Sequence, residues 1–419
     1  HDRSGRYTCR DFGQNYLNSM DAKGNPVIFT NGDNDTFPLW YNQETEGVRT
    51  DARVCNLSYL QTDWYIDQMR RPAYDSPSLP ISWTRLQYVT GTREGIPVQP
   101  DALQQVIDYY KDSPEDLKQM LGDNPYELKN IIRHWVLNDN PDLQIFPTDS
   151  IVVTVDKEAV KRSGMMIAAD SIPDVMHISL KGKRAIYKSE MMMLEMISQA
   201  NWERPLYMST TVGPDNYGHL GDNFVQEGLA CRITPFDTKQ SGRTIDSERM
   251  YNNMMNKFKY GGLKENPDIY LDETVIRMCY THRRLFNQLA QQLLKEGQKD
   301  KALKVLQRAE EEIPGSIVPH EAFYGHSLEL ADAWLALGHK AEAEKLLNAV
   351  GQNAKEYIEW YLSLNTQRLL QSSRECLMQI YILNDIAKTW EPIDKKKAET
   401  YRMEVNNYAS RCHQRGMSL

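Results

Sequence analysis

The chain has 419 residues, of which 41% are hydrophobic and 25% charged, a composition typical of folded globular proteins and not of disordered ones. Its formal net charge of −8 argues against an extended nucleic-acid-binding surface, because neutralising phosphates requires concentrated basic side chains. No run of about eighteen apolar residues occurs, so no segment is predicted to span a bilayer, and the length predicts two or three domains.

The first strongly patterned stretch predicts a strand, a helix, a strand and a second helix. Val27–Phe29 is apolar and leads into the Asn31–Gly32 turn, and a helix with aromatic residues on one face follows. Residues 53–57 predict the next strand and residues 64–70 the next helix, which ends before Pro72. We interpret the stretch as a βαβ unit. Ligands of such units bind beyond the carboxyl ends of the strands.

Polar residues lie at both of these predicted strand ends. Asp33, Asn34 and Asp35 follow the first strand, and Asn56 and Asp63 follow the second. Two carboxylates in one tight loop can share a divalent cation, so Asp33 and Asp35 are candidate ligands. The alternative, which the turn chemistry favours, is that Asp35 caps the helix while Asp33 and Asn34 shape the turn.

Further strands are predicted along the next part of the chain. Residues 150–155 are β-branched and almost wholly apolar, which is typical of a central strand buried on both faces. Residues 175–180, 206–212 and 228–235 predict three more strands. Because strands and helices alternate, the fold class of this part is predicted to be α/β, with a mostly parallel, Rossmann-like sheet.

A glycine-containing loop after residue 212 holds a second group of candidate ligand-binding residues. Asp215, Asn216, Tyr217 and His219 could bind sugar hydroxyls or supply an acid or a base. The alternative is a polar surface loop. The chain contains no nucleophile elbow, phosphate-binding loop or zinc-binding helix motif, so no common enzyme class is supported and no catalytic residue is assigned.

The composition changes to helix-forming residues from Asp272 onward. Superposing Gly297 on Gly338 aligns small and large apolar residues in a pattern typical of a tetratricopeptide helical hairpin. The spacing of these glycines predicts an extended linker near residues 315–323, and residues 357–390 and 393–412 predict a third helical pair. The expected organisation is therefore an α/β domain, a connecting segment and an all-α domain, with bounds 1–240, 241–271 and 272–419.

Several segments resemble a family of bacterial multi-pass membrane proteins known as a domain of unknown function. TNGDNDTFPLWY, EGVRTDARVCNLSYLQTDWYIDQM, NWERPLY and QEGLACRITP are similar to the family's soluble carboxyl-terminal region, and HDRSGRYTCRDF is similar to the junction after its membrane portion. The membrane portion of that family resembles glycosyltransferases that use lipid-phosphate sugars, and an animal relative is a protein O-mannosyltransferase. The resemblance implies that this chain lies on the extracytoplasmic, periplasmic side of an inner membrane and is attached through an amino-terminal multi-pass region.

The sequence and this resemblance together lead to three functional hypotheses. The first is a non-catalytic accessory module of a membrane glycosyltransferase-like protein, which binds an acceptor peptide, a glycan or, at its helical repeats, a partner protein. The second is a self-contained enzyme that uses a divalent metal and the acidic loops. The third is a pure assembly scaffold. No nucleic acid and no cofactor other than the cation at Asp33 and Asp35 are expected.

Overall fold

The computed structural model of the chain describes residues 4–165 and 172–417. These residues form two compact units. We call Arg10–Lys259 the sheet unit, and we call residues 4–9 together with residues 260–417 the helical unit. Within the described residues, no helix is both long enough and apolar enough to cross a bilayer.

The boundary differs from the predicted one, since residues 241–259 belong to the sheet unit instead of a connecting segment. The physical reason is a set of long-range bonds. The buried Asn253 side chain donates to the carbonyl oxygens of Ser19 and Glu227, at 3.2 and 2.7 Å. Arg249 pairs with Asp21 at 2.7 Å. The predicted domain 1–240 is thus replaced by Arg10–Lys259.

The sheet unit combines strands with short helices. Its strands are β1 Val27–Thr30, β2 Arg53–Asn56, β3 Gly95–Pro97, β4 Ser150–Thr154, β5 Val175–Ser179, β6 Ala185–Tyr187, β7 Leu206–Ser209, β8 Phe224–Gln226 and β9 Ala230–Ile233. Its helices are α1 Thr8–Ser19, of which residues 8 and 9 are assigned to the helical unit, α2 Asp33–Glu44, α3 Asp63–Met69, α4 Arg85–Tyr88, α5 Ala102–Tyr109, α6 Pro114–Leu121, α7 Leu128–Ile131, α8 Lys157–Ser163, α9 Lys188–Gln199, α10 Thr238–Ser241 and α11 Ser247–Asn252.

The principal sheet is mixed and has the strand order β2-β1-β7-β9-β8. β1 lies between β2 and β7 and is parallel to both, with Val27 opposite Arg53 and Leu206. β9 is antiparallel to β7 and to β8. The predicted βαβ unit is present, and the expectation of a parallel sheet holds for β2, β1 and β7 but not for β9.

The prediction that residues 150–155 form a central strand was wrong. β4 pairs with β5, antiparallel, in a separate two-stranded sheet, and one isolated bridge joins Val152 to Glu127. Ile151 and Val153 are buried, but Ser150 and Thr154 are exposed, so one face alone enters the core. An apolar run of this length does not distinguish a central strand from a half-buried one.

The core of the sheet unit lies around the parallel strands and helix α9. Phe29, Met191, Met192 and Trp83 are almost completely buried in it. The methionine-rich face of α9 therefore fills the core and leaves no open groove. This packing fixes the strand ends at which the candidate residues lie.

The helical unit consists of antiparallel helical pairs. Its helices are α12 Glu273–Lys295, α13 Lys299–Glu312, α14 Ser327–Ala336, α15 Lys340–Ser363, α16 Thr366–Gln371, α17 Ser373–Trp390 and α18 Lys395–Gln414. The pairs α12–α13, α14–α15 and α17–α18 pack together. Gly297 lies between the two helices of the first pair and Gly338 between those of the second. Their φ angles are 75° and 83°, a left-handed conformation that glycine adopts without a Cβ clash.

The predicted linker and the third pair are both present, with altered bounds. No helix lies between Glu312 and Ser327, where the buried Arg283 donates to the carbonyl oxygens of Ile313, Val318 and Pro319 at 2.8 to 3.0 Å. The third pair begins at Ser373 instead of residue 357, because α15 continues unbroken to Ser363.

Candidate functional site

The carboxyl ends of β1, β2 and β7 meet at one edge of the sheet, as expected for parallel strands. Their last residues, Thr30, Asn56 and Ser209, carry polar side chains. The Thr36 hydroxyl lies 2.8 Å from the Thr30 hydroxyl and accepts a hydrogen bond from the Asn56 amide at 2.9 Å. The side-chain oxygen Oδ1 of Asn56 accepts a hydrogen bond from the Tyr59 backbone N–H at 3.0 Å. Asn56 is thus buried and occupied by internal bonds.

The Asp33–Asp35 turn forms the first turn of α2. Asp33 and Asn34 are exposed, whereas Asp35 is 3% exposed. One Asp35 oxygen accepts the Gly32 backbone N–H at 2.9 Å, and the other accepts the Thr211 hydroxyl at 2.9 Å. The N-cap of α2 is Gly32, so Asp35 is not the cap that the sequence predicted. Asp35 is the third residue of the helix, and it stabilises the helix start by accepting the N–H of the N-cap residue.

Tyr16 extends this network on the side of β7. Its hydroxyl lies 3.1 Å from the hydroxyls of Ser209 and Thr211. Burial, aided by the Asp35 charge, raises the pKa of Tyr16 to about 12. A neutral tyrosine and a row of hydroxyls surround the carboxylate, so the network is internally satisfied.

The other predicted residues lie in different surroundings. Asp63, at the start of α3, accepts the Thr90 backbone N–H at 3.3 Å and lies 3.7 Å from Arg85. The Thr90 bond, and more weakly the Arg85 charge, lower the pKa of Asp63. Asp63 is thus bound to the segment around α4 and not to Asp35.

The loop after β7 contacts Asp35 through Thr211, and its later residues lie away from the sheet edge. Asp215 and Asn216 are exposed, and the Tyr217 ring packs on Phe224 with centroids 4.8 Å apart. His219 lies 3.9 Å from Asp222, and both line a cavity of about 670 Å³ beside β5. His219 and Asp222 share this cavity with residues of β5 and α10, and Asp33 and Asp35 do not line it.

The candidate residues that the sequence placed at the strand ends are bonded to separate neighbours. Within residues 4–165 and 172–417, no hydrogen bond or ion pair joins Asp33 or Asp35 to Asp63, Asp215 or His219. Over the same ranges, no three His, Cys, Asp or Glu side chains converge as metal ligands. The shared sheet edge brings strand ends together, but the Asp35 and Asp63 carboxylates are already bonded to residues of their own surroundings.

A surface that the sequence reasoning did not identify lies beside this edge. We call it the aromatic surface, and it is formed by Phe37, Trp40, Tyr59, Trp64 and Tyr74. The rings of the first four follow one another with centroids 5.7, 6.2 and 6.0 Å apart. Phe37, Trp64 and Tyr74 are 47%, 55% and 59% exposed. Contiguous exposed aromatic rings of this kind are typical of binding surfaces.

Three of these rings border a cavity of about 280 Å³, which we call the aromatic pocket. Trp40, Trp64, Tyr65 and Tyr74 form its walls, and Arg53 of the edge strand β2 lies at its base. Tyr74 has φ of 51°, a left-handed conformation unusual for a residue with a Cβ. The neighbouring Ala73 and Ser76 exchange backbone hydrogen bonds that hold this turn. Such strain is often found where a side chain is positioned for a ligand.

Arg53 gives the aromatic pocket a polar group with spare hydrogen-bonding capacity. Its residue is 5% exposed, and its Nη2 donates to the carbonyl oxygens of Gln68 and Arg71 at 2.8 and 2.9 Å. Nη1 is buried and has no hydrogen-bond partner among the described residues. Burial lowers the pKa of Arg53, yet the group stays cationic. Leaving a buried donor unmade is costly, so an oxygen atom that reaches Nη1 would stabilise it.

The sequence contains the aromatic residues of α2, but their pattern predicts burial and not an exposed surface. Phe37, Trp40 and Tyr41 share one face of α2, a pattern that predicts packing. Within α2 the buried side chains are instead Asp35, Thr36, Leu39, Asn42 and Gln43. The reversal of polar and aromatic faces is the feature that marks the surface.

The comparisons with known proteins give one match. A family model described as TMEM260-associated domain 2 matches residues 9–253, more than half of the chain. No curated protein and no solved structure matches.

Proposed function

The chain belongs to the family of TMEM260-associated domain 2, and from this premise we propose that it is a non-catalytic accessory module of a membrane glycosyltransferase-like protein. The family name associates the domain with TMEM260, a membrane protein. The module lies on the extracytoplasmic, periplasmic face and is attached through an amino-terminal multi-pass region. Its task is to hold the acceptor while transfer takes place elsewhere in the protein.

The aromatic pocket is the acceptor site in this proposal, and its ligand is a glycan. Its volume of about 280 Å³ suits one sugar ring and is small for a drug-sized ligand. Aromatic faces pack against the C–H groups of a sugar, while the free Arg53 N–H donates to a hydroxyl or carboxylate oxygen. The unpartnered Arg53 donor beneath exposed tryptophan is the observation on which the proposal rests.

The two units of the fold support two separate binding roles. We interpret the parallel strands β2, β1 and β7 with α2 as Rossmann-like, and the hairpins at Gly297 and Gly338 as tetratricopeptide-like. Hairpins of this type stack into surfaces that bind proteins. The sheet unit would hold the acceptor and the helical unit a partner protein.

Glycan binding can be measured through the intrinsic fluorescence of Trp40 and Trp64. An array of monosaccharides and short oligosaccharides, followed by fluorescence titration, should identify a ligand of the 419-residue chain. Trp64→Ala and Arg53→Lys should each weaken binding about tenfold or more, since truncating a central aromatic or charged anchor costs about 2 kcal/mol. Trp360→Ala is the matched control, because Trp360 is equally exposed but lies in the helical unit.

Two results would overturn the proposal. One is that no glycan binds, and the other is that Trp64→Ala and Trp360→Ala behave alike. In the full-length membrane protein, deletion of residues 10–259 should abolish glycosylation of the acceptor. Unchanged glycosylation after this deletion would show that the sheet unit does not position the acceptor.

A further inference from the structure

The helical unit contains a groove that is independent of the aromatic pocket. One face each of α12, α15 and α17 lines it, together with the linker near residues 319–324, and its volume is about 550 Å³. On α15 the lining residues recur three or four positions apart, from Val350 through Asn353 and Tyr357 to Tyr361. This spacing places them on one side of the helix.

The groove is lined by exposed apolar side chains. Tyr324 is 62% exposed and Tyr357 is 49% exposed, and Phe323 and Met378 are exposed beside them. Isolated exposed apolar residues are ordinary, but a concave group of aromatic residues with a methionine is typical of a peptide-binding surface. The Asn353 and Gln379 carboxamides lie in the same groove and can donate to and accept from a peptide backbone.

The charged residues of the groove are predominantly acidic. Three carboxylates, Glu273, Glu321 and Glu375, accompany one guanidinium, that of Arg277. Arg277 is already engaged, since it pairs with Glu273 at 2.5 Å and lies over the Tyr324 ring at 5.5 Å.

The two remaining carboxylates differ in their bonding. Glu321 accepts the backbone N–H groups of Phe323 and Gly325. Glu375 is exposed, and within the described chain it makes no hydrogen bond or ion pair. The groove therefore retains one uncompensated negative charge next to its aromatic residues.

We propose that this groove binds an extended peptide segment in which an apolar side chain adjoins a lysine or arginine. The apolar side chain lies between Tyr324, Tyr357 and Met378, and the cation pairs with Glu375. This inference deepens the partner-binding part of the proposed function and does not depend on the aromatic pocket. Nucleic acids and anionic lipid headgroups are disfavoured, because they would place phosphates beside the carboxylates.

An array of short peptides tests this inference directly. Each peptide carries a central leucine, phenylalanine or tryptophan, flanked by lysine or arginine in one set, by serine in a second and by glutamate in a third. The 419-residue chain should bind the peptides that are flanked by lysine or arginine. Fluorescence anisotropy should show about threefold weaker binding of the serine-flanked peptide at low salt, which corresponds to about 0.7 kcal/mol for one exposed charge pair.

Variants in the groove identify the residues involved. Glu375→Gln should abolish the preference for basic flanks, and Tyr357→Ala should weaken all sets. Two exposed controls outside the groove, Glu356→Gln and Tyr381→Ala, should leave binding unchanged. Because Glu375 and Tyr357 are exposed, neither change should unfold the protein.

The outcomes of this test are separable from those of the glycan test. Equal retention of all three sets, retention of none, or equal effects of Glu375→Gln and Glu356→Gln would each overturn the inference. Binding to vesicles of anionic lipid, with no binding to peptides, would overturn it as well. Trp64→Ala should have no effect here, so loss of glycan binding and loss of peptide binding report on different sites.

Discussion

Asp35 and Thr211, which are 176 residues apart in the chain, are joined by a 2.9 Å hydrogen bond across the carboxyl edge of the principal sheet. The bond connects the first turn of α2 to the segment that follows β7. The buried Asp35 oxygen already accepts this hydrogen bond, and for this reason the Asp33–Asp35 turn is not an open acidic site.

Removal of the Thr211 hydroxyl should destabilise the sheet unit. Thr211→Val keeps the side-chain shape but removes the shorter hydrogen bond to a buried Asp35 oxygen, which then accepts only the Asn31 N–H at 3.4 Å, so the unfolding free energy should fall by about 1 kcal/mol. Urea denaturation measures the change. Thr92→Val removes a hydroxyl that bonds only locally to the Val89 carbonyl, and it should cost less. Equal losses would contradict the role assigned to the long-range bond.

The buried arginine of β9 gives a larger expected effect. Arg232 is 0% exposed and pairs with Asp21 at 2.7 Å, and Asp21 also pairs with Arg249. Asp21→Asn leaves both cations without that carboxylate and should reduce unfolding free energy by about 3 kcal/mol. Glu158→Gln, at an exposed pair with Lys161, should change it by less than about 0.5 kcal/mol. A small loss for Asp21→Asn would mean that Glu227 alone compensates Arg232.

The stability of the helical unit should depend on pH through His282. Burial lowers the pKa of His282 from 6.5 to about 3, so the folded state holds it neutral. The unfolded chain binds a proton below pH 6.5, and folding excludes it. The stabilising contribution is therefore complete above pH 6.5 and is lost as pH falls toward 3, by about 1.4 kcal/mol per pH unit.

The non-titrating variant His282→Gln tests this dependence. Its unfolding free energy should vary less steeply between about pH 6 and pH 4 than that of the unchanged protein. His413→Gln, at an exposed histidine of the same unit, should retain the steeper slope. Identical slopes for both variants would show that His282 titrates normally in the folded state.

The glycine turn between α12 and α13 provides a test of local conformation. Gly297 has φ of 75°, and no atom lies within 4 Å of the position that a Cβ would take, so alanine would cost backbone strain alone. Gly297→Ala should lower unfolding free energy by about 1 kcal/mol. Gly213→Ala is the control, since Gly213 has φ of −73° and equally open space, and it should be near neutral. Thermal unfolding of both variants decides the matter.

Local patterns were sufficient for much of the fold. The strand at Val27, the Asn31–Gly32 turn and the helix after it are as predicted, as are the helical hairpins at Gly297 and Gly338. These elements depend on residues a few positions apart, whose conformational preferences a sequence shows directly.

Local patterns were not sufficient to predict the candidate site. The sequence drew attention to Asp33, Asp35 and His219 because of their chemistry, yet the structure uses Asp35 internally and directs His219 to β5. No local pattern in the sequence indicated a role for Arg53. The fold decides how its nitrogens bond: Nη2 donates to the Gln68 carbonyl oxygen of α3, and Nη1 has no partner among the described residues.

The sequence by itself determined the elements, the change from mixed to all-helical composition, and the resemblance to a membrane-protein region. Only the tertiary structure decided which strands pair, which carboxylates are already bonded and which aromatic rings remain exposed. The physical reason is that propensity and periodicity act within a few residues, whereas burial and hydrogen-bond satisfaction depend on groups brought together from distant parts of the chain, as Asp35 and Thr211 are.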